Sequence, residues 1–156
     1  MTKNKLLRMD TVLLVVDDLE AAIAFFTELG MEIEGKTTVE GEWVDRIVGL
    51  DGVRSDIAMM RTPDGHGRLE LDKFHTPEAI RAEPEDAPVN TLGIRRIMFA
   101  VTDIDDIVAR LQNHGAELIG EVTQKILDWR PIPTSYYSSG SGHPECRFRL
   151  IARVVS

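Results

Sequence analysis

Cysteine is nearly missing from this chain. Cys146 stands alone, which excludes an intramolecular disulfide and any multi-cysteine zinc site. Long apolar runs are missing too, and none approaches the ~20 residues of a membrane-spanning helix. The N-terminal MTKNKLLRMD lacks the apolar core of a secretory signal. A cytoplasmic location is the expectation that remains. Basic residues are in the minority: 18 Lys and Arg against 26 Asp and Glu give a formal net charge of −8. With no basic cluster to offset it, that charge argues against a nucleic-acid partner.

Familiar catalytic patterns are scarce as well. GLDG and DGHG are turns, since neither follows a strand and opens a helix. Ser138, Ser139 and Ser141 lie in a Ser/Gly-rich stretch with the composition of a loop rather than a nucleophile elbow. The four histidines have no metal-binding spacing. His66 belongs to a turn, His75 follows a strand, His114 ends a helix, and His143 falls in a Gly/Ser loop. A His66–Glu70 pair on one strand face is the one weak alternative for a metal. Cys146, on an expected strand, reads as a small core residue.

What the chain does have is an internal repeat. VVDDLEAAIAFFTELGMEIEG, from Val15, aligns without a gap on AVTDIDDIVARLQNHGAELIG, from Ala100. Val16/Val101, Asp18/Asp103, Ala24/Ala109, Gly30/Gly115, Glu32/Glu117 and Gly35/Gly120 are identical pairs. Each copy gives an apolar run, an acidic cap, an amphipathic helix, a glycine stop and a short strand. Two copies of one supersecondary unit follow, with a site where they face each other.

In the first copy, Met9–Val16 reads as a strand buried on both faces. Asp17 with Glu20 gives the helix cap, and Leu19, Ile23, Phe26 and Leu29 form the apolar stripe that Gly30 ends. A short strand, MEIEG, comes next. EGEWVDRIVGLDGV is expected to be a loop. SDIAMMRT and GRLELDKF are strands joined at Pro63-Asp64-Gly65, with Met59 and Met60 on opposite faces. The first β-α-β-β-β unit therefore spans 1–75, a Pro- and acid-rich linker 76–92, and the second unit 93–156, all within one domain. In the second unit Ile104, Val108 and Leu111 form the helical stripe. After Gln124 the text stops echoing the first copy, through a divergent ending or a frame change in the gene. KILDW and CRFRLIARVV are the strand candidates there.

A tandem β-α-β-β-β chain with DDLEAAIAFFTELGMEIEG and GRLELDKF resembles the vicinal oxygen chelate superfamily. That group includes glyoxalase, bleomycin-resistance and extradiol dioxygenase proteins. The resemblance implies an α+β fold in which the units curl a mixed sheet around a cavity, helices outside. It also implies a homodimer and, in many members, a divalent metal held by one residue from the first and last strand of each unit. Carried onto this chain, those positions fall on Thr11, Glu70 and Arg96, and the fourth has no counterpart because IARVVS contains no acid. Arginine has no lone pair to give a metal, and threonine is a poor ligand for transition metals. The expectation is a degenerate site with no metal or other cofactor.

Two readings of Arg96 stand. It replaces the cation's charge and binds an anionic group of the ligand, or it pairs with Glu70 or Asp72 as a structural ion pair. Met59 is expected to line the cavity, while Trp43 either lids it or anchors its own loop. The expected function is small-molecule binding. The alternative is a metal-dependent lyase, isomerase or dioxygenase in which Glu70 moves a proton.

Overall fold

The computed structural model describes residues 6–81, 88, 90–94, 97–118, 123–125, 134–141 and 149–154. Its first unit runs β1 (Val12–Val15), α1 (Leu19–Leu29), β2 (Glu32–Glu40), α2 (Glu42–Val48), β3 (Arg54–Arg61) and β4 (Arg68–Thr76). The four strands form one open sheet in the order β1-β4-β3-β2. β1 lies parallel to β4, and the other pairs are antiparallel. The last strand thus returns to lie beside the first, which puts Glu70 next to Leu13 and near Thr11, just before β1.

Local chemistry explains the helix. Asp18 is extended and its side chain accepts from the Ala21 N–H at 3.0 Å, satisfying a donor the first turn leaves over. The expected cap, Asp17, lies one residue too early and pairs with Arg81 instead. At the far end Gly30 adopts φ of 111°, a left-handed conformation that glycine takes without a Cβ clash.

The inward face of α1 buries Leu19, Ala22, Phe25, Phe26 and Leu29 against Ala58, Met60, Leu69 and Leu71 of the sheet. At about 1.5–3 kcal/mol for each large apolar side chain, this cluster dominates the unit's stability. Ile107 and Leu111 of the second unit join the same cluster. The two units therefore share one core.

Two expectations fail here. β1 is not buried on both faces, because Leu13 and Val15 are 46% and 50% exposed while Val16 is buried. The helix covers one side of the sheet and leaves the other open. The expected loop after β2 contains α2, flanked by left-handed or irregular glycines at positions 41 and 49. Asp45 of α2 accepts from the Gly52 and Val53 N–H groups at 3.0 and 2.8 Å, which fixes the entry into β3.

The second unit repeats the plan with β5 (Ile97–Val101), α3 (Ile104–Asn113), β6 (Ala116–Leu118), β7 (Thr123–Lys125), β8 (Thr134–Ser141) and β9 (Arg149–Val154). Its sheet order, β5-β9-β8-β6, matches that of the first unit, with β5 parallel to β9 and β7 added against β8. Asp103 caps α3 as Asp18 caps α1. The Ser/Gly-rich stretch read as a loop holds β8, which pairs with both β6 and β9. Cys146, His143 and most of KILDW lie outside the described residues.

Candidate functional site

Strand alternation divides β4 cleanly. Leu69 and Leu71 point at α1, so Glu70 and Asp72 point to the open side. The sheet register lays that side out in two rows. One runs Leu13, Glu70, Met59, Gly35; the other runs Val15, Asp72, Ile57, Thr37. Two carboxyls thus occupy the central strand, flanked by apolar side chains, and Gly35 leaves room beside Met59.

Thr11 joins this face from just before β1. Its hydroxyl donates to the Met59 sulfur at 3.8 Å. Thr11, Met59 and Glu70 are each half-buried, and among the described residues Glu70 makes no hydrogen bond or ion pair. The structure therefore brings three of the sequence-derived site residues onto one face. Trp43 is on α2, 58% exposed, beyond the sheet edge opposite Thr11. Arg96 lies outside the described residues.

The residue the sequence reading passed over as a site is Asp72. It is 5% exposed, and among the described residues its Oδ1 has no hydrogen-bond partner. Burial pushes its carboxyl up to about 7, and repulsion from Glu70 adds to the rise. Its signal in the sequence was the spacing of two acids at i and i+2 in a strand, LELDKF, that otherwise reads as core.

A second polar group links Thr38, Asp56 and His75. Thr38 donates to Asp56 Oδ1 at 2.6 Å, and His75 Nε2 lies 2.9 Å from Asp56 Oδ2. The Thr38 and His75 hydrogen bonds hold the Asp56 carboxyl below its usual range. His66 is exposed in its turn, and His114 Nε2 is 3.6 Å from Glu28 at the end of α3. Among the described residues no three His, Cys, Asp or Glu side chains converge to hold a metal.

A cavity of about 680 Å³ lies between the C-terminal end of α1, the β3–β4 turn and β5. Thr11, Glu70, Met59 and Trp43 are not among its lining residues. The arginines in its wall are already engaged. Arg68 pairs with Glu34, and Arg110 with Glu28 and Asp106. Its size suits a small molecule, but its charges are spent on structure.

The ligand set implied by the resemblance fits these residues poorly. Thr11 supplies a hydroxyl already bonded to sulfur, and Glu70 supplies a single carboxylate. A transition metal held at such a site normally takes imidazole or several carboxylates.

The comparisons agree with the architecture. The model of the Glyoxalase/Bleomycin resistance protein/Dioxygenase superfamily matches residues 8–128, and the chain belongs to that superfamily. A glyoxalase family protein from Bacillus cereus is 46% identical, with 99% of this chain and 98% of that chain covered and a TM-score of 0.87. That coverage continues past Gln124, where the internal repeat fades. Two others share the fold at lower identity. The trypanothione-dependent glyoxalase I of Leishmania major is 16% identical, covering 94% of this chain and 86% of that one, with a TM-score of 0.58. A glyoxalase family protein from Enterococcus faecalis is 16% identical, covering 98% and 99%, with a TM-score of 0.52. No match among curated proteins is found. Among the described residues, no helix is long and apolar enough to cross a membrane.

Proposed function

We propose that this superfamily member binds a small molecule on the open face of its first unit, over Glu70, and does so without a metal or other cofactor. The observation that carries the reading is Glu70 itself. It stands between apolar Leu13 and Met59 and, among the described residues, has no structural partner to explain it. Thr11, where the superfamily pattern has a coordinating histidine, is turned to Met59. Met59 and Leu13 give the ligand apolar contact, while Glu70 accepts a hydrogen bond that orients it.

A second reading is favoured by one observation, the retention of Glu70 at the superfamily's ligand position. In it the chain is a metal-dependent lyase, isomerase or dioxygenase. The bound metal would polarise a substrate oxygen, and Glu70 would hold or move a proton. Our reading extends to a homodimer, on the strength of the resemblance alone, and to the cytoplasmic location expected from the sequence.

Metal analysis of the purified protein, followed by ligand screening, separates the readings. Stoichiometric Zn, Ni, Mn or Fe, with function lost on chelation, supports catalysis. Metal-free protein that still binds a small molecule supports the binding reading. Leu13→Trp, which fills the open face, is expected to abolish that binding.

A further inference from the structure

Asp72 carries more information about the ligand than Glu70 does. A buried carboxyl oxygen normally finds a donor, and leaving one without costs about 1–3 kcal/mol, more when it is charged. Here, among the described residues, Oδ1 of Asp72 has none, and the side chain is directed by strand alternation to the same face as Glu70.

Among the described residues, no cation on this face meets that need. Arg68, the basic residue on the same side of β4, gives its guanidinium to Glu34 at 2.9 and 3.0 Å and lies 3.8 Å from Asp10. Lys73 follows Asp72 and alternates to the other side. Among the described residues the centre of the face is acidic and short of donors. Its flanks, Leu13, Val15, Ile57 and Met59, are apolar.

We propose that Asp72 and Glu70 together receive the head group of an organic cation, a protonated amine carried on an apolar body. An ammonium brings three N–H donors, enough for both carboxyls. Its charge offsets theirs in a setting where charge-assisted hydrogen bonds are strong. The apolar body covers Leu13 and Val15, which are otherwise open to water, and the half-buried Met59. An alcohol supplies one donor without the charge, and a carboxylate supplies neither. This departs from the anionic ligand expected from Arg96, and it rests on the open face of the first unit being the binding site.

The test uses three probes that share a ring and differ in head group: benzylamine, benzyl alcohol and benzoate. Each is titrated calorimetrically into the wild type, Asp72→Leu and Leu13→Trp at millimolar concentration. Benzylamine is expected to bind best and benzoate worst. Asp72→Leu is expected to weaken benzylamine by at least about tenfold, the size of one charge-assisted hydrogen bond. Its melting temperature should match or exceed the wild type's, because an unsatisfied buried carboxyl has been removed.

Absent benzylamine binding, tighter benzoate binding or an unchanged Asp72→Leu overturns the proposal. If Leu13→Trp abolishes all binding while Asp72→Leu is neutral, only the amine assignment fails. If benzylamine binding survives Leu13→Trp, the open face is not the site and both readings fail.

Discussion

Arg110 of α3 reaches across to α1, where one guanidinium nitrogen donates to both the main-chain oxygen and Oε1 of Glu28, each at 2.8 Å. Its Nε also holds Asp106 at 2.9 Å. This is a polar clasp between the two units. Because the Arg110 side chain is 41% exposed, solvent screening limits its worth. Arg110→Ala is expected to destabilise more than the loss of a single exposed ion pair does. Arg46→Ala, which breaks only an exposed pair with Glu42, should cost no more than about 0.5 kcal/mol. Urea unfolding of both variants checks the difference.

Phe26 ties the same seam together from inside. It is fully buried, meets Phe25 edge-on at 5.4 Å between centroids, and lies 6.4 Å from Phe99 of β5. Phe26→Ala is expected to cost about 3–5 kcal/mol. Because both units share its surroundings, both should loosen together. Separate unfolding of the units in the wild type, seen by calorimetry, would contradict a shared core.

The two adjacent aspartates before α1 have different work. Asp18→Ala removes the bond to Ala21 and should cost about 1 kcal/mol. Asp17→Ala loses a surface pair with Arg81 and should cost no more than about 0.5 kcal/mol. Equal losses in thermal melts would mean that the cap is shared.

Asp72 makes stability depend on pH in an unusual direction. Its folded value of about 7 lies above the ordinary 3.8, so the folded chain holds this proton more tightly than the unfolded one. That contribution is complete below about pH 4 and is lost as the pH rises through about 7. The full swing is of order 4 kcal/mol at about 1.4 per unit. Asp72→Asn should flatten this part of the profile. A wild type and variant with parallel curves between about pH 4 and 7 would count against a buried, proton-holding Asp72.

The repeat was legible because its signals are local. Apolar spacing over Leu19–Leu29, an acid before it and Gly30 after it specify a helix without tertiary help. The cap was misplaced by one residue because Asp17 and Asp18 are chemically alike; only geometry assigns Ala21 to one of them. α2 went unseen because seven residues between glycines carry little periodicity. It is Val44 packing inward and Asp45 binding the next strand that fix it. β8 was hidden by serine and glycine, whose strand preference is weak; pairing on both sides supplies what the residues do not.

The site was half legible. Thr11 and Glu70 followed from a pattern, and the hydrogen bond to Met59 came with the register. Asp72 did not stand out, because an acid beside a core strand usually faces water. Only its burial and missing partner distinguish it.

The outermost strand of the first sheet, β2, alternates acids and a lysine along its length and skips a residue between Ile33 and Gly35. Such a rim cannot lie flat against a stranger's backbone, and a second copy would have to disturb the ion pairs that hold its acids and lysine. Protein made at high concentration should accordingly stay dispersed at this border.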